Sequence, residues 1–387
     1  MAQVEISPDV LEWARERAGI PFDTLVKRFK NYSAWLDGKG GPTFNQLETL
    51  SSVLHLPLGM FFLPEPPEEE LPLPDFRRMA GTEYARPSVE LIDTIHTCQR
   101  RQRWYREHLA GSGAEILEFV GSASAGDPPT FVAGSIRTAL KLEVGSRAET
   151  SSWEEFLRRF IGLAREAGIL VMINGVVGNN THRALNPREF RGFAISDPFA
   201  PLVFVNGADT KAGQIFTLAH ELAHIWIGKG GVSNSAADDL PEDIAPDREV
   251  ERFCNAVAAE ILVPVAQLRN MDLPEDIETA KAQIARMFRV STLVALRRLK
   301  DLGLLSYDDF QAAYDEELTF LQDKADSSPG GGNFYATMGA RVDPHFASAV
   351  ISTALEGQTL MGEAFDLLSL KNSKTFREEA RRLGVTS

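Results

Sequence analysis

The stretch His220-Glu221-Leu222-Ala223-His224 places two imidazoles four residues apart, with a carboxylate between them. On an α-helix, residues four apart lie on the same face, so both rings can reach one point in space. Strongly apolar residues precede and follow the stretch, from Gln214 to Ile227, and Gly228 stands where a helix would end. We therefore predict a buried helix that carries one polar stripe.

The stretch has the His-Glu-x-x-His spacing with which zinc peptidases bind their metal. Such a motif seldom arises by accident in a chain that has only 7 histidines among 387 residues. Buried imidazoles also need polar partners, and a metal ion would satisfy both His220 and His224. The motif predicts that Zn²⁺ binds both rings and that Glu221 acts as general base toward a water on the metal.

A third metal ligand must come from elsewhere, because catalytic zinc sites normally take three ligands from the protein. Residues 247–264 read as a second helix, which ends near Pro264. Its predicted apolar face consists of Val250, Phe253, Cys254, Val257, Ala258 and Ile261. Glu249 and Glu251 are both candidates on this helix, and spacing does not choose between them. Asn255 lies one turn after Glu251, where its amide could support a ligand carboxylate.

Four segments together resemble the ImmA/IrrE metallopeptidases, in the form that is fused to an XRE-type helix-turn-helix domain. These segments are residues 190–193, 201–206, 216–224 and 253–264. The family's third ligand is a glutamate four residues before the asparagine of the last segment, which falls on Glu251 here. The resemblance thus implies a zinc site of His220, His224 and Glu251, with Glu221 as the base. It covers residues 150 to 300 well and the N-terminal domain more loosely.

Length and composition indicate a soluble protein of several domains, because 387 residues exceed what one core usually organises. No apolar run approaches membrane-spanning length, and the N-terminus lacks the basic start and apolar stretch of a secretory signal. We expect a cytoplasmic protein with no membrane partner. Cys98 and Cys254 are far apart in sequence, so no structural disulfide is expected.

Residues 1–63 carry apolar residues at helical spacing in five short segments. The predicted helices cover residues 8–18, 22–29, 33–36, 44–54 and 58–63. This order resembles the XRE helix-turn-helix, in which the third helix enters the major groove of DNA. The residues that the resemblance places near DNA are Lys27, Arg28, Lys30, Asn31, Ser33 and Trp35.

Two observations oppose direct readout of DNA bases by this domain. The segment Pro21-Phe22-Asp23-Thr24 replaces the polar start of the repressors' second helix, and Trp35 is bulky. The formal charge of −14 also repels DNA at long range, although a local basic cluster can bind within a Debye length. DNA binding and protein binding, including a homodimer, therefore remain alternatives.

The predicted fold class is α+β, in five consecutive parts. An all-helical helix-turn-helix domain (1–63) and a proline-rich linker (64–87) precede a helical connector (88–150). A zincin-like metallopeptidase core with a small sheet and a helical extension spans 151–325. A C-terminal helical segment (326–387) follows a glycine-rich break, and we expect it to be a partner or dimer surface or a cap on the peptidase.

Three runs of the core read as strands, at residues 168–173, 192–196 and 202–205. We expect the second of them to lie at a sheet edge, where an extended substrate would pair above the metal. His182 and Arg183, in a predicted loop at 180–183, are candidates to stabilise the oxyanion. The plainer alternative is a loop histidine that only bonds backbone. Residues 230–246 are either a mobile lid over the site or disordered.

These patterns predict a zinc-dependent endopeptidase and transcriptional regulator that hydrolyses a peptide bond by attack of water, with Glu221 as general base. The resemblance implies a protein substrate, namely a repressor or antitoxin-like partner. The alternative is a DNA-binding regulator, or the antitoxin of a toxin–antitoxin pair, in which the zinc site is structural or sensory.

Overall fold

The computed structural model describes residues 3–68, 71–74, 87–143, 150, 152–233, 246–326 and 341–385. It is a mixed α+β structure with a helical N-terminal region and a helical C-terminal end. The chain divides into two compact units, one of residues 1–72 with 84–93 and one of residues 73–83 with 94–387. Most of the predicted lid, at 234–245, and most of the glycine-rich break, at 327–332, lie outside the described residues.

The N-terminal unit is built from short helices around one apolar core. They are α1 (Pro8–Arg17), α2 (Phe22–Arg28), α3 (Tyr32–Leu36), α4 (Phe44–Leu54) and a 3₁₀ turn at Leu58–Phe62. Thr43 and Gln46 form a reciprocal capping box that satisfies free amides at the start of α4. The five predicted helical segments are therefore present, and the last of them is a 3₁₀ turn.

Trp35 belongs to the core of this unit and not to its surface. Its side chain is only 3% exposed and packs against Phe29 and Tyr32. The five-residue helix α3 is too short to be stable alone, so it is held by burial of its large side chains. The prediction that Trp35 contacts DNA bases is wrong. The other residues predicted near DNA are exposed, namely Lys27, Arg28, Lys30, Asn31 and Ser33.

The second unit contains a four-stranded sheet in the order β1-β5-β4-β6. Its strands are β1 (Leu170–Asn174), β4 (Gly192–Ile195), β5 (Leu202–Asn206) and β6 (Gly231–Ser233). β5 runs parallel to β1 and antiparallel to β4, and β4 runs antiparallel to β6. A separate hairpin of β2 (Val176–Val177) and β3 (Asn180–Ala184) follows β1, so the predicted loop at 180–183 is a strand.

The strand β4 does not lie at a sheet edge, contrary to the prediction. β5 pairs with one side of it, and β6 pairs with the other, with Phe193 opposite Val232. The three residues of β6 are too few to show the alternation by which a strand is predicted. The sheet therefore ends at β6 on this side of the described structure.

Helices cover the sheet and bring the two predicted metal-binding segments together. The core helices are α5 (Val89–Gly111), α6 (Pro129–Ala139), α7 (Trp153–Glu166), α8 (Lys211–Trp226) and α9 (Pro246–Leu262). α8 packs against β4 and β5 on one side and against α9 on another. The helical extension consists of α10 (Val265–Leu268), α11 (Ile277–Phe288), α12 (Thr292–Asp301) and α13 (Tyr307–Asp326). All six residues of the predicted apolar face of α9 are buried in the main core.

The C-terminal segment closes the free edge of β1. It contains α14 (Pro344–Leu355), α15 (Met361–Leu368) and α16 (Ser373–Arg382). Asp343 caps α14 and also accepts a hydrogen bond of 3.2 Å from the amide of Val171 in β1. The same carboxylate lies 2.8 Å from Nε of Arg165 and is fully buried. Of the predicted alternatives, a cap on the peptidase agrees with these contacts.

None of the described helices is long and apolar enough to cross a membrane.

The first testable prediction concerns Asp343. Asp343→Ala should lower the free energy of unfolding by about 3 kcal/mol, because Arg165 loses its buried counter-charge and α14 loses its cap. Urea unfolding followed by circular dichroism measures the loss. Asp366→Ala, at an exposed position on α15, is the matched control and should change stability by less than about 0.5 kcal/mol. Equal stability of the two variants would contradict this role.

Candidate metal centre

Three side chains from two helices meet in a fully buried cluster. α8 supplies His220 and His224, and α9 supplies Glu251. The Nε2 atoms of the two imidazoles are 3.0 Å apart. The carboxylate oxygens of Glu251 lie 3.2 Å from Nε2 of His220 and 3.0 Å from Nε2 of His224. None of the three residues is more than 1% exposed, so all three side chains are buried in the described structure.

Oxygen acceptors fix the outer nitrogen of each ring. Nδ1 of His220 lies 2.9 Å from Oδ1 of Asn255, and Nδ1 of His224 lies 3.0 Å from the carbonyl oxygen of Lys229. These oxygens can only accept, so each Nδ1 carries a proton and each neutral ring keeps a lone pair on Nε2. The two lone pairs therefore face each other beside a carboxylate. Such an arrangement requires a proton or a metal cation between the rings.

The charges of the cluster shift the pKa of its members in the same sense. Burial by itself would lower the pKa of both histidines, but the negative charge of Glu251 overcomes it and raises the pKa of each. For His224 the largest opposing influence is the neighbouring Cys254, followed by Glu251, and the pKa rises well above its usual range. Burial opposes ionisation of Glu251, yet the two histidines hold its pKa at about 2. The cluster therefore favours positive charge at its centre.

The donor set fits zinc. Two imidazole nitrogens and one carboxylate are the protein ligands of many catalytic zinc sites, whereas Mg²⁺ and Ca²⁺ prefer oxygen ligands. Nitrogens at about 2.0–2.1 Å from a tetrahedral zinc ion lie about 3.3 Å apart. The observed separation of 3.0 Å between the two Nε2 atoms is close to this value. The described residues supply three ligands, the number with which catalytic zinc sites keep a fourth position for water or substrate.

The structure distinguishes the two glutamates that sequence spacing left open. Glu249 is exposed, whereas Glu251 is buried against the histidines of α8, where the family resemblance placed the third ligand. Asn255 is also buried at the cluster, and its amide oxygen faces Nδ1 of His220. Asn255 therefore orients this ring, and its support of the ligand carboxylate stays a prediction.

Glu221 projects from α8 beside the cluster and is 0% exposed. Its Oε1 accepts a hydrogen bond from the hydroxyl of Ser233 in β6, whereas its Oε2 has no hydrogen-bond partner among the described residues. Burial raises the pKa of this carboxyl, although the neighbouring histidines oppose the shift. A raised pKa suits a group that must take up a proton and release it again. Sequence patterns contain no signal for Ser233, because only β6 brings it to Glu221.

Gly192 allows β4 to approach the helix that carries these residues. A Cβ at this position would lie 2.5 Å from Cγ2 of Thr217 and 2.7 Å from the carbonyl oxygen of Phe204. It would also lie 3.1 Å from Oε1 of Glu221. Any larger residue would push α8 away from the sheet, so the glycine is needed for close packing beside Glu221.

His182 occupies an exposed position on β3. Its backbone amide donates to Oδ1 of Asn180, which fixes the strand and leaves the imidazole on the surface. Among the described residues, the buried cluster consists of His220, His224 and Glu251 and does not include this imidazole. Its role in stabilising an oxyanion stays a prediction.

Comparison with known protein families agrees with this geometry. Residues 164–300 match the IrrE N-terminal-like domain, Peptidase_M78. The matched range contains the three clustered residues and Glu221, and it supports a metallopeptidase in general. Residues 342–382, which carry the C-terminal cap, match a domain of unknown function, DUF8813. The helical N-terminal region is compatible with a helix-turn-helix, but no such family is found there. A search of curated proteins found no match.

The second prediction tests the ligand set. Glu251→Gln should weaken zinc binding about 100-fold, because a charged ligand between two imidazoles is replaced by a neutral amide. Isothermal titration and elemental analysis of the full chain measure the change. The matched control is Glu249→Gln, on the exposed side of the same helix, and it should bind zinc like the wild type. Equal zinc affinity in both variants would exclude Glu251 as a ligand.

The third prediction concerns pH. Zinc must displace the protons that the raised pKa values of His220 and His224 favour, so its apparent affinity should fall as the pH falls below those values. Each displaced proton should cost about tenfold in affinity per pH unit. Competition with a chromogenic chelator from pH 5 to 8, about the usual working range, measures the slope. A flat profile would show that these rings do not bind the metal.

Proposed function

We propose that this chain is a zinc-dependent endopeptidase. The observation that carries the proposal is the buried cluster in which the Nε2 atoms of His220 and His224 converge on the carboxylate of Glu251. Glu221 stands beside this cluster with one carboxylate oxygen free of hydrogen bonds among the described residues. The match of residues 164–300 to a peptidase family supports the same activity.

Each residue of the cluster has a separate task in this mechanism. His220, His224 and Glu251 would hold the metal, and Asn255 and the carbonyl of Lys229 orient the two rings. A zinc ion, when bound, polarises the scissile carbonyl and lowers the pKa of water. The hydroxyl of Ser233 donates a hydrogen bond to Oε1 of Glu221, which leaves Oε2 to accept the proton of the attacking water. Glu221 then returns this proton to the nitrogen of the leaving amine.

The proposed substrate is a protein of the repressor or antitoxin class, and cleavage would relieve the control that this protein exerts. The resemblance to the ImmA/IrrE metallopeptidases supports this class. The N-terminal unit would bind DNA through Lys27, Arg28 and Lys30, which are exposed around the turn between α2 and α3. Backbone phosphates are the partners that such a cluster suits.

A second candidate function is a DNA-binding regulator or antitoxin in which the metal site is structural or sensory. The exposed basic residues of the N-terminal unit favour it. Under this alternative, zinc would stabilise the packing of α8 on α9, and Glu221 would have no chemical task. The two functions differ in what the loss of Glu221 should do.

The fourth prediction separates them. Glu221→Gln should retain zinc and lower peptide cleavage by about 10²–10⁴-fold, because the amide cannot accept the proton. Purified full-length protein with zinc is incubated with a peptide library prepared from a digested proteome, and new termini are measured by mass spectrometry. The rate on the fastest-cleaved peptide is then compared between wild type and variant.

The control for this experiment is Glu249→Gln, which removes a carboxylate from α9 on its exposed side. It should cleave like the wild type. His182→Ala in the same assay shows whether that imidazole contributes to cleavage. Full activity of Glu221→Gln with bound zinc would contradict the endopeptidase and favour the regulator.

A further inference from the structure

Another buried polar side chain lies on α8, one helical turn before Glu221, and it has no task in the proposed mechanism. Thr217 is only 1% exposed, and its hydroxyl oxygen Oγ1 has no hydrogen-bond partner among the described residues. A buried hydroxyl without a partner destabilises the fold, because water satisfies the same group in the unfolded chain. The stability of the fold therefore gives no reason for a hydroxyl at this position.

A threonine inside a helix has a local partner for its hydroxyl, and Thr217 does not use it. The hydroxyl can donate to the carbonyl oxygen four residues earlier on the same helix. Thr49, Thr138 and Thr353 do so in α4, α6 and α14, at distances of 2.8, 2.9 and 3.0 Å. Gly213 stands four residues before Thr217, yet the Thr217 hydroxyl forms no such bond within the described structure.

The close packing of β4 on α8 restricts the side chain of Thr217. A Cβ at Gly192 would lie 2.5 Å from Cγ2 of Thr217 and 3.1 Å from Oε1 of Glu221. Thr217 and Glu221 therefore both border Gly192, where the absence of a side chain lets β4 approach the helix. The methyl branch of Thr217 faces the strand. Because a β-branched side chain has few rotamers, this contact also limits where the hydroxyl can point.

Two buried oxygen atoms without partners thus lie on neighbouring turns of one helix face. Thr217 and Glu221 are four residues apart on α8, and a long helical side chain leans toward the preceding turn. Oγ1 of Thr217 and Oε2 of Glu221 both lack a hydrogen-bond partner among the described residues. Ser233 binds the other carboxylate oxygen, Oε1. The terminal torsion of a glutamate is soft, so rotation of the carboxylate can turn Oε2 toward the adjacent turn.

A hydroxyl suits an oxygen that accepts a proton and returns it, because it can donate to a carboxylate and accept from a carboxyl. We propose that Thr217 is a positioning residue for Glu221, and that its hydroxyl pairs with Oε2 while the proton is transferred. The proposal rests on the endopeptidase function. The proton that moves comes from the attacking water and goes to the leaving amine, and Thr217 keeps its own. Its hydroxyl is thus unpaired in the resting protein and is used during the reaction.

The test compares three substitutions in the full-length protein with bound zinc. Thr217→Val removes the hydroxyl and keeps the branched shape, whereas Thr217→Ser keeps the hydroxyl. The matched control is Thr353→Val, which removes a buried threonine hydroxyl that donates to Ala349 and accepts from Thr359. Elemental analysis of zinc establishes that each protein has a loaded site.

Thermal unfolding distinguishes a functional hydroxyl from a structural one without any catalysis. Thr217→Val should have a Tm equal to or above that of the wild type, because it removes an unpaired polar group from the interior. Thr353→Val should lower the Tm by about 2 °C or more, because it breaks hydrogen bonds and leaves the Thr359 hydroxyl without its acceptor. A comparable drop in Thr217→Val would show that its hydroxyl is bonded in the fold, and it would overturn the proposal.

Cleavage of the fastest-cleaved peptide from the library is the second measurement. Thr217→Val should lower kcat by about 10–100-fold and leave KM within about twofold, because a hydrogen bond to a charged group is lost during the reaction and not on binding. Thr217→Ser should keep kcat within about threefold of the wild type, because its hydroxyl can form the same bond. A wild-type kcat in Thr217→Val, or equal losses in the two variants, overturns the proposal.

A double variant tests whether Thr217 acts through Glu221. In the Glu221→Gln background, Thr217→Val should lower cleavage no further, since the carboxylate that it positions is already absent. Losses that multiply would show a separate role and overturn the proposal. If cleavage depends on Glu221 but Thr217→Val cleaves like the wild type, the endopeptidase stands and the positioning role is excluded. If the wild type with bound zinc cleaves no peptide, both are excluded.

Discussion

Two imidazole nitrogens that point at each other inside the protein are the constraint on which the rest of this unit depends. With both outer nitrogens bonded to oxygen, the lone pairs of His220 and His224 meet at 3.0 Å beside Glu251. Buried charge and unpaired polar atoms are costly, so the arrangement persists only with positive charge at its centre. The packing of α8 on α9 and the close approach of β4 at Gly192 hold these atoms in register.

The two outer strands of the sheet are closed by different physical means. At β1, Asp343 accepts a hydrogen bond from the amide of Val171 and is paired with the buried Arg165. Opening this edge would therefore leave a buried charge without its partner. At β6, the carbonyl oxygen of Pro74 accepts a hydrogen bond from the amide of Val232. Among the described residues, a buried and paired carboxylate thus closes one side of the sheet, and a backbone hydrogen bond forms at the other.

Sequence patterns predicted correctly those elements whose apolar or histidine residues recur at helical spacing. The histidine pair, the apolar face of α9 and the short N-terminal helices all follow from helical periodicity, and the structure contains them. The patterns failed where the partner is distant in sequence. Glu249 and Glu251 differ only in which side of α9 meets α8, and Ser233 reaches Glu221 through a strand of three residues. The position of Trp35 was predicted wrongly because a large aromatic residue on a short helix can lie in the core or on the surface. The sequence does not show which of the two the packing produces.

The number of metal ligands from the protein distinguishes a catalytic zinc site from a structural one. Structural zinc sites are closed by four protein ligands, often thiolates, whereas catalytic sites keep one position open. Within the described residues the cluster has three members, and Cys254 is not among them although it neighbours His224. Burial raises the pKa of this thiol, although His224 opposes the shift. Among the described residues, three ligands beside a carboxylate with one oxygen free of hydrogen bonds agree with the proposed peptidase better than with a closed structural site.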